Sequence, residues 1–141
     1  MNKVVLKFEL DFDFILIAIS CPLKDYRLAH FIDKHAGLKL HKQKHDHQIP
    51  GIEAGEYWFF SFYQYLPEEV ETEYYLLSNR GTESGYLLPE LKNSDYFLII
   101  KNFIDDEDLG MLLDNLNAIP DVVVASEISL DKLKSKENLI F

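Results

Sequence analysis

With 141 residues, 48% of them hydrophobic and 13% aromatic, the chain has the length of one domain and enough apolar residues for a packed core. The formal net charge is −10, from 24 Asp/Glu against 14 Lys/Arg. No apolar run approaches the roughly 18 residues of a membrane span. Charged residues interrupt the apolar residues near the N-terminus, whereas a secretory signal needs an unbroken apolar centre. Since Cys21 is the single cysteine, we expect a soluble cytoplasmic protein without an internal disulfide.

The charge is unevenly distributed along the chain. Residues 1–50 carry 8 Lys/Arg and 6 Asp/Glu, whereas residues 51–141 carry 6 Lys/Arg and 18 Asp/Glu. Only residues 39–47, KLHKQKHDH, are locally basic. Because nucleic-acid phosphates and anionic lipids attract clustered cations, the sequence disfavours nucleic-acid and membrane partners.

The first part of the chain predicts a strand and a helix. Apolar and charged residues alternate over residues 7–14, KFELDFDF, which is typical of a half-buried strand. Residues 15–20, ILIAIS, fit either a continuation of that strand or a short helix. Residues 23–37 predict a helix that follows Pro22 and ends at Gly37. The apolar stripe of this helix consists of Leu28, Ala29, Ile32 and Ala36.

The middle of the chain predicts several strands. Residues 38–55 fit a loop or a poorly formed strand. Residues 56–65, EYWFFSFYQY, predict one strand with aromatic residues on both faces. The turn sequence NRGTESG separates two further strands, over residues 71–79 and 85–89, and residues 95–100 form another.

The last part predicts a second helix and a final strand. Residues 105–119 begin with acidic residues, which are favourable at the N-terminal end of a helix dipole, and continue with leucines at helical spacing. Residues 121–130 predict the last strand. The element order indicates a single α+β domain over residues 1–141, with a mainly antiparallel sheet of five to six strands and two main helices on one face.

The segment LLPELKNSDYFLII, residues 87–100, predicts a turn that leads into a buried strand. Pro89 has no backbone donor and restricts the residue before it to extended geometry. Asn93 and Ser94 suit a turn. The residues of this structural turn are Pro89, Glu90, Asp95 and Tyr96.

No catalytic set is predicted. Glu90 and Asp95 could act as general acid and base only if both carboxyls converged on one cleft, which the turn between them disfavours. Neither Cys21 nor Ser61 has an obvious histidine partner in the sequence, which leaves open a partner that is close only in space. The sequence therefore favours a non-catalytic protein.

The same segment resembles the signature of the IPExxxVDY proteins, a small family of Bacteroidetes type. LPE at residues 88–90 corresponds to IPE, and SDY at residues 94–96 corresponds to VDY, with Leu88 in place of Ile and Ser94 in place of Val. The stretches DFDFILIAIS, DYRLAHFID, YYLLSNRG and KSKENLIF are also similar to the family, so the resemblance covers nearly the whole chain. It implies no activity and no catalytic residue that can be carried over.

All five histidines lie within residues 30–47. In a helix, His41 and His45 would share a face, and Asp46 or His47 could complete a site for zinc or nickel. The simpler interpretation is a polar loop with solvated imidazoles. We therefore expect no cofactor, with a metal at His41, His45 and His47 as the alternative.

The aromatic residues on both faces of residues 56–65 suggest an interface. Two helices cover one face of a sheet, so the other face needs a second source of cover. Trp58, Phe60 and Phe62 are therefore interface candidates, and a sheet that curls around its own core is the competing explanation. The leading hypothesis is a non-catalytic cytoplasmic protein that acts through protein interaction as a homodimer, with a further protein partner left open. The alternative is a small-molecule or metal-binding protein, or an enzyme, that uses residues 30–47.

Overall fold

The computed structural model describes residues 13–141. The strands in this part of the chain are β1 (Phe14–Ser20), β2 (His41–Lys42), β3 (His47–Pro50), β4 (Tyr57–Phe60), β5 (Phe62–Tyr65), β6 (Glu73–Ser78), β7 (Tyr96–Lys101) and β8 (Val124–Ile128). The helices are α1 (Asp25–Ala36) and α2 (Asp106–Asn117). Short 3-10 turns cover Pro89–Leu91, Leu130–Lys132 and Lys136–Leu139. No helix among these residues is long and apolar enough to cross a membrane.

Six of the strands form one sheet in the order β2-β5-β6-β7-β1-β8, and every neighbouring pair is antiparallel. The other two strands, β3 and β4, form an antiparallel hairpin. The prediction of an α+β fold with a mainly antiparallel sheet is confirmed. Residues 15–20 belong to strand β1, and residues 38–55 contain the two short strands β2 and β3. Of the first predicted strand, residues 7–12 lie outside the described part.

Both helices pack on one face of the sheet, as predicted. Helix α1 ends at Gly37, which has a φ of 71° and donates its N–H to the Asp33 carbonyl at 2.8 Å. Helix α2 begins after Asp105, whose carboxylate accepts the Asp108 N–H at 2.7 Å. The core on this face includes Ile17, Ile19, Leu28, Ile32, Leu98, Ile100, Leu109, Leu112 and Leu116.

The second face of the sheet is covered by other segments of the same chain. The hairpin, the residues before the first 3-10 turn and the tail after β8 all contribute side chains to this core. Because β1 and β7 are buried on both faces, their sequences are continuously apolar rather than alternating. The core on this face includes Leu16, Ile49, Phe60, Leu87, Leu88, Phe97, Ile99, Leu133 and Leu139.

The prediction of one strand over residues 56–65 is wrong. The chain breaks at Ser61, whose N–H donates to the Ser78 side-chain oxygen at 3.2 Å, and the segments on either side join different sheets. Strand β4 pairs with β3, whereas β5 pairs with β2 and β6. Trp58, Phe60 and Phe62 on both sides of the break pack into the second core. The alternate aromatic residues differ, because Tyr57 and Phe59 of β4 are exposed whereas Tyr63 of β5 is buried in the core beneath the helices.

The prediction of a strand over residues 85–89 is also wrong. Only an isolated bridge between Arg80 and Tyr86 forms there. The fully buried Asn79 holds this segment instead: its side-chain oxygen accepts the Leu88 N–H at 2.8 Å, and its side-chain nitrogen donates to the carbonyls of Leu91 and Ser94. A side chain thus supplies the hydrogen bonds that a neighbouring strand would otherwise supply.

Candidate interaction surface and ligand groove

The two carboxylates of the LPELKNSDY segment bind different parts of the chain. The Glu90 carboxylate accepts the N–H groups of Lys134 and Ser135, each at 2.7 Å, and so anchors the tail. Burial raises the pKa of Glu90, but hydrogen bonds from its own backbone N–H and from Ser135 and Lys134 outweigh the effect and hold the pKa below its usual value. The Asp95 carboxylate accepts the Cys21 N–H at 2.8 Å and fixes the turn after β1. Glu90 and Asp95 thus make two separate structural contacts and do not form one acid–base pair.

The remaining residues of that turn also have structural contacts. Pro89 begins the first 3-10 turn, where its missing N–H leaves no hydrogen bond unmade. Tyr96 begins β7, and its hydroxyl donates to the Leu23 carbonyl at 2.6 Å. Burial raises the pKa of Tyr96, so the hydroxyl stays protonated and remains a donor.

The three histidines considered for a metal lie in different environments. His41 and His45 are exposed, whereas His47 is buried between Phe62 and Phe141. The Nε2 atom of His47 lies 2.6 Å from the Asn138 carbonyl, so Nε2 carries the proton, because a carbonyl only accepts. Within residues 13–141 no three His, Cys, Asp or Glu side chains are grouped closely enough to hold a metal ion.

The aromatic interface candidates face the second core. Phe60 is fully buried, and Trp58 and Phe62 are half-buried against that core. Phe60 is therefore not available to a partner in this structure. The exposed aromatic side chains of β4 are Tyr57 and Phe59, with 52% and 41% of their surface accessible. Alternation along β4 separates Tyr57 and Phe59 from Trp58 and Phe60, but the sequence does not show which pair faces outward.

Tyr57 and Phe59 belong to a surface that we call the hairpin face. In the register of β3 and β4, Tyr57 lies opposite Pro50 and Phe59 lies opposite Gln48. Ile52, in the connecting turn, is 87% exposed and extends the apolar area. The hairpin face thus consists of Gln48, Pro50, Ile52, Tyr57 and Phe59.

The two ends of the hairpin differ in charge. At the tip, the Glu56 carboxylate accepts the Ile52 N–H at 3.0 Å, and the exposed Glu53 lies in the same turn. At the other end, the exposed Lys44 and His45 come just before β3. The hairpin face is therefore bordered by two acidic residues at its tip and by Lys44 at its base, where the half-buried Asp46 also lies.

A polar groove of about 780 Å³ lies at the end of the sheet where strands β1 and β6 end and strands β5 and β7 begin. Its walls come from the turn after β1, the start of α1 and the segment after β6. The lining includes three cations and three carboxylates, which are Lys24, Lys42, Arg80, Asp25, Asp46 and Asp95.

Some of the polar groups in the groove are already paired. The Lys42 ammonium lies 3.7 Å from the Asp25 carboxylate, which also accepts the Tyr63 hydroxyl at 3.1 Å. The Cys21 thiol is buried, and burial raises its pKa, so this cysteine is protonated at neutral pH and is a poor nucleophile. The one thiol in the groove lining is therefore not a reactive nucleophile.

Comparisons of this chain with known protein families, with curated proteins and with solved structures find no significant match.

Proposed function

We propose that this protein acts without catalysis, through protein interaction, as a homodimer that forms across the hairpin face. The observation that carries the proposal is the exposure of Tyr57 and Phe59 side by side with Pro50 and Ile52. Aromatic side chains are enriched at the centres of protein interfaces, and an exposed apolar group of this kind gains free energy when a partner covers it.

The charges at the two ends of the hairpin favour a second copy as the partner. In a two-fold interface each surface meets its own copy in the reversed direction. Lys44 of one protomer would then lie near Glu53 of the other, and the same pair would form a second time. Opposite charges at the rim favour this register, while the apolar centre supplies most of the affinity.

A second exposed apolar group is less suited to self-association. Leu66, Val70 and Phe103 are 50%, 55% and 70% exposed, and they border shallow pockets near one end of the sheet. Acidic side chains line the same pockets and would repel each other across a two-fold contact. These acidic residues are Glu68, Glu69, Glu71, Asp105 and Asp108.

The test replaces Tyr57 and Phe59 with glutamate and measures sedimentation velocity over a range of protein concentrations. We expect the double variant to sediment as a monomer at concentrations where the wild type is a dimer. Phe103→Glu is the matched control, because it also places a carboxylate at an exposed aromatic position, and it should leave the dimer intact. Equal dimerisation of the double variant and the wild type would refute the assignment. Circular dichroism confirms that each variant is folded.

We also propose a cytoplasmic location and membership of the IPExxxVDY family. The location is supported by the acidic composition and by the single, buried cysteine. The family is supported by the LPE and SDY motifs at residues 88–90 and 94–96. A family profile built from IPExxxVDY sequences that fails to align with this chain over most of its length would contradict the membership.

A further inference from the structure

We propose that the polar groove binds a small zwitterion of the free amino-acid type, with its carboxylate at Arg80 and Ser61 and its ammonium at Asp46. This site is separate from the hairpin face and does not depend on the homodimer. Three observations support it: a serine hydroxyl in the lining that makes no hydrogen bond to residues 13–141, cations and a carboxylate without ion pairs there, and a balance of charge along the lining.

The first observation concerns Ser61, which is only 7% exposed and lines the groove. Its backbone groups are both used, because its N–H donates to the Ser78 side chain and its carbonyl accepts the Ser78 N–H. Its hydroxyl has no hydrogen-bond partner within residues 13–141. The indole nitrogen of Trp58 is the only buried polar side-chain atom of residues 13–141 without a hydrogen-bond partner, so the Ser61 hydroxyl reaches solvent in the groove and can donate to a ligand there.

The second observation concerns Arg80 and Asp46, which line the groove on two different segments. Lys24 is a second lining cation without an ion pair in residues 13–141. The Arg80 guanidinium carbon lies 5.9 Å from the centre of the Tyr86 ring, and no carboxylate of the described chain forms an ion pair with it. Asp46 is half-buried and likewise has no ion pair there. A guanidinium binds a carboxylate through two parallel hydrogen bonds, and a carboxylate binds an ammonium, so the two residues match the two ends of a zwitterion.

The third observation is the charge balance of the lining, with equal numbers of cations and carboxylates. Lys42 and Asp25 neutralise each other, and Asp95 accepts the Cys21 N–H. A groove without net charge favours neither a pure anion nor a pure cation. Its volume of about 780 Å³ lies within the usual range for small-molecule sites, with room for the side chain of an amino acid.

The experiment measures the thermal unfolding midpoint of the full chain with each of the twenty standard L-amino acids, added singly at 10 mM. A ligand present at ten times its Kd is expected to raise Tm by about 5 °C for a domain of this size. Saturation-transfer difference NMR on the same samples detects binding independently of stability. Acetate and methylammonium, tested separately at 10 mM, show whether both charges of the zwitterion are required.

Variants then locate the binding site. We expect Arg80→Met, Asp46→Asn and Ser61→Ala each to reduce the Tm shift and the NMR signal at least several-fold. Arg27→Met is the matched control, because Arg27 is the only other arginine of the chain and lies on α1 outside the groove lining, so it should leave binding unchanged. Without ligand, Ser61→Ala should unfold within about 1 °C of the wild type, because its hydroxyl makes no internal bond.

The possible results separate clearly. Binding of at least one amino acid that is lost in all three groove variants and retained in Arg27→Met supports the proposal. Binding that survives the groove variants places the ligand elsewhere and overturns it. Equal binding of acetate alone removes the role of Asp46, and the absence of binding by all twenty amino acids refutes the zwitterion as ligand.

Discussion

The side-chain amide of Asn117 pairs with the backbone of Ala125 as a neighbouring strand would. Its nitrogen donates to the Ala125 carbonyl and its oxygen accepts the Ala125 N–H, both at 2.9 Å. In the sheet formed by residues 13–141, strand β8 is at one edge, and the end of α2 covers that edge through this residue. Because free edge groups invite pairing with other chains, Asn117 both satisfies Ala125 and limits unwanted strand addition.

Replacement of Asn117 by alanine is expected to destabilise the protein by about 1–3 kcal/mol, because the backbone groups of the buried Ala125 lose both partners. Urea unfolding followed by circular dichroism measures the change. Asn115→Ala is the control, since Asn115 lies on the same helix and its side chain makes no hydrogen bond within the described part; it should change stability by less than about 0.5 kcal/mol. Equal losses in the two variants would contradict the role of Asn117.

Glu90→Ala is expected to loosen the tail and to alter the acid dependence of stability. Burial raises the folded pKa of Glu90, but hydrogen bonds from its own backbone N–H and from Ser135 and Lys134 give a net decrease. The stabilising effect of Glu90 is therefore present above the unfolded pKa of about 4.3 and is lost as pH falls through the folded pKa. At pH 7 we expect a loss of about 1 kcal/mol, because the carboxylate is partly solvated.

Urea titrations of wild type and Glu90→Ala from pH 7 to pH 3 check this expectation. The difference between the two proteins should remain constant down to about pH 5 and then decrease. A difference that is the same at pH 3 as at pH 7 would show that the Glu90 charge is not responsible. Glu137→Ala is a suitable control, because the carboxylate of Glu137 accepts no hydrogen bond in residues 13–141.

Gly85→Ala is expected to destabilise the protein by about 2–4 kcal/mol. Gly85 has a φ of 89°, which strains any residue with a Cβ atom, and a Cβ there would overlap the indole ring of Trp58. Gly110→Ala, in helix α2, meets no atom within 4 Å and should instead stabilise the protein by about 0.5–1 kcal/mol. Thermal unfolding should therefore show a lower Tm for Gly85→Ala and a higher Tm for Gly110→Ala. Tm changes of the same sign in the two variants would contradict the close contact between Gly85 and Trp58.

His47 is expected to destabilise the fold as pH falls. Burial lowers the pKa of His47, the hydrogen bond to Asn138 raises it, and the nearby Lys101 charge lowers it, with a net decrease. The unfolded state, with a histidine pKa of about 6.5, then binds protons more readily than the folded state. Stability should fall as pH decreases below about 7 and should level off below the folded pKa.

His47→Gln keeps a donor for the Asn138 carbonyl and removes the titration, so it should flatten the stability profile between about pH 7 and pH 5. His45→Gln, at an exposed position, should leave the profile unchanged. A profile that responds equally to both substitutions would show that the buried position of His47 has no special effect.

The elements with strong periodicity could be predicted from the sequence. The apolar stripe of α1 and the leucines of α2 identify both helices, and Asp105 identifies the start of the second. The continuous apolar run of β7 indicates a strand that is buried on both faces. In the structure, each face of β7 packs into a different core. Both helices and the central strands are therefore local properties of the chain.

The elements that depend on distant side chains could not be predicted. The break at Ser61 requires Ser78, and the irregular segment around Leu88 requires Asn79. Neither hydrogen bond leaves a periodic signal in the sequence. The same limit applies to the hairpin face, because the choice between Phe59 and Phe60 as the exposed residue depends on how the hairpin packs against the sheet.

The homodimer across the hairpin face is the central claim, and native mass spectrometry of the untagged wild-type protein tests it most directly. The account predicts a main species with twice the mass of the 141-residue chain, replaced by the single-chain mass in the Tyr57→Glu/Phe59→Glu variant and retained in Phe103→Glu. A wild-type protein that remains at the single-chain mass at micromolar concentration would contradict the claim.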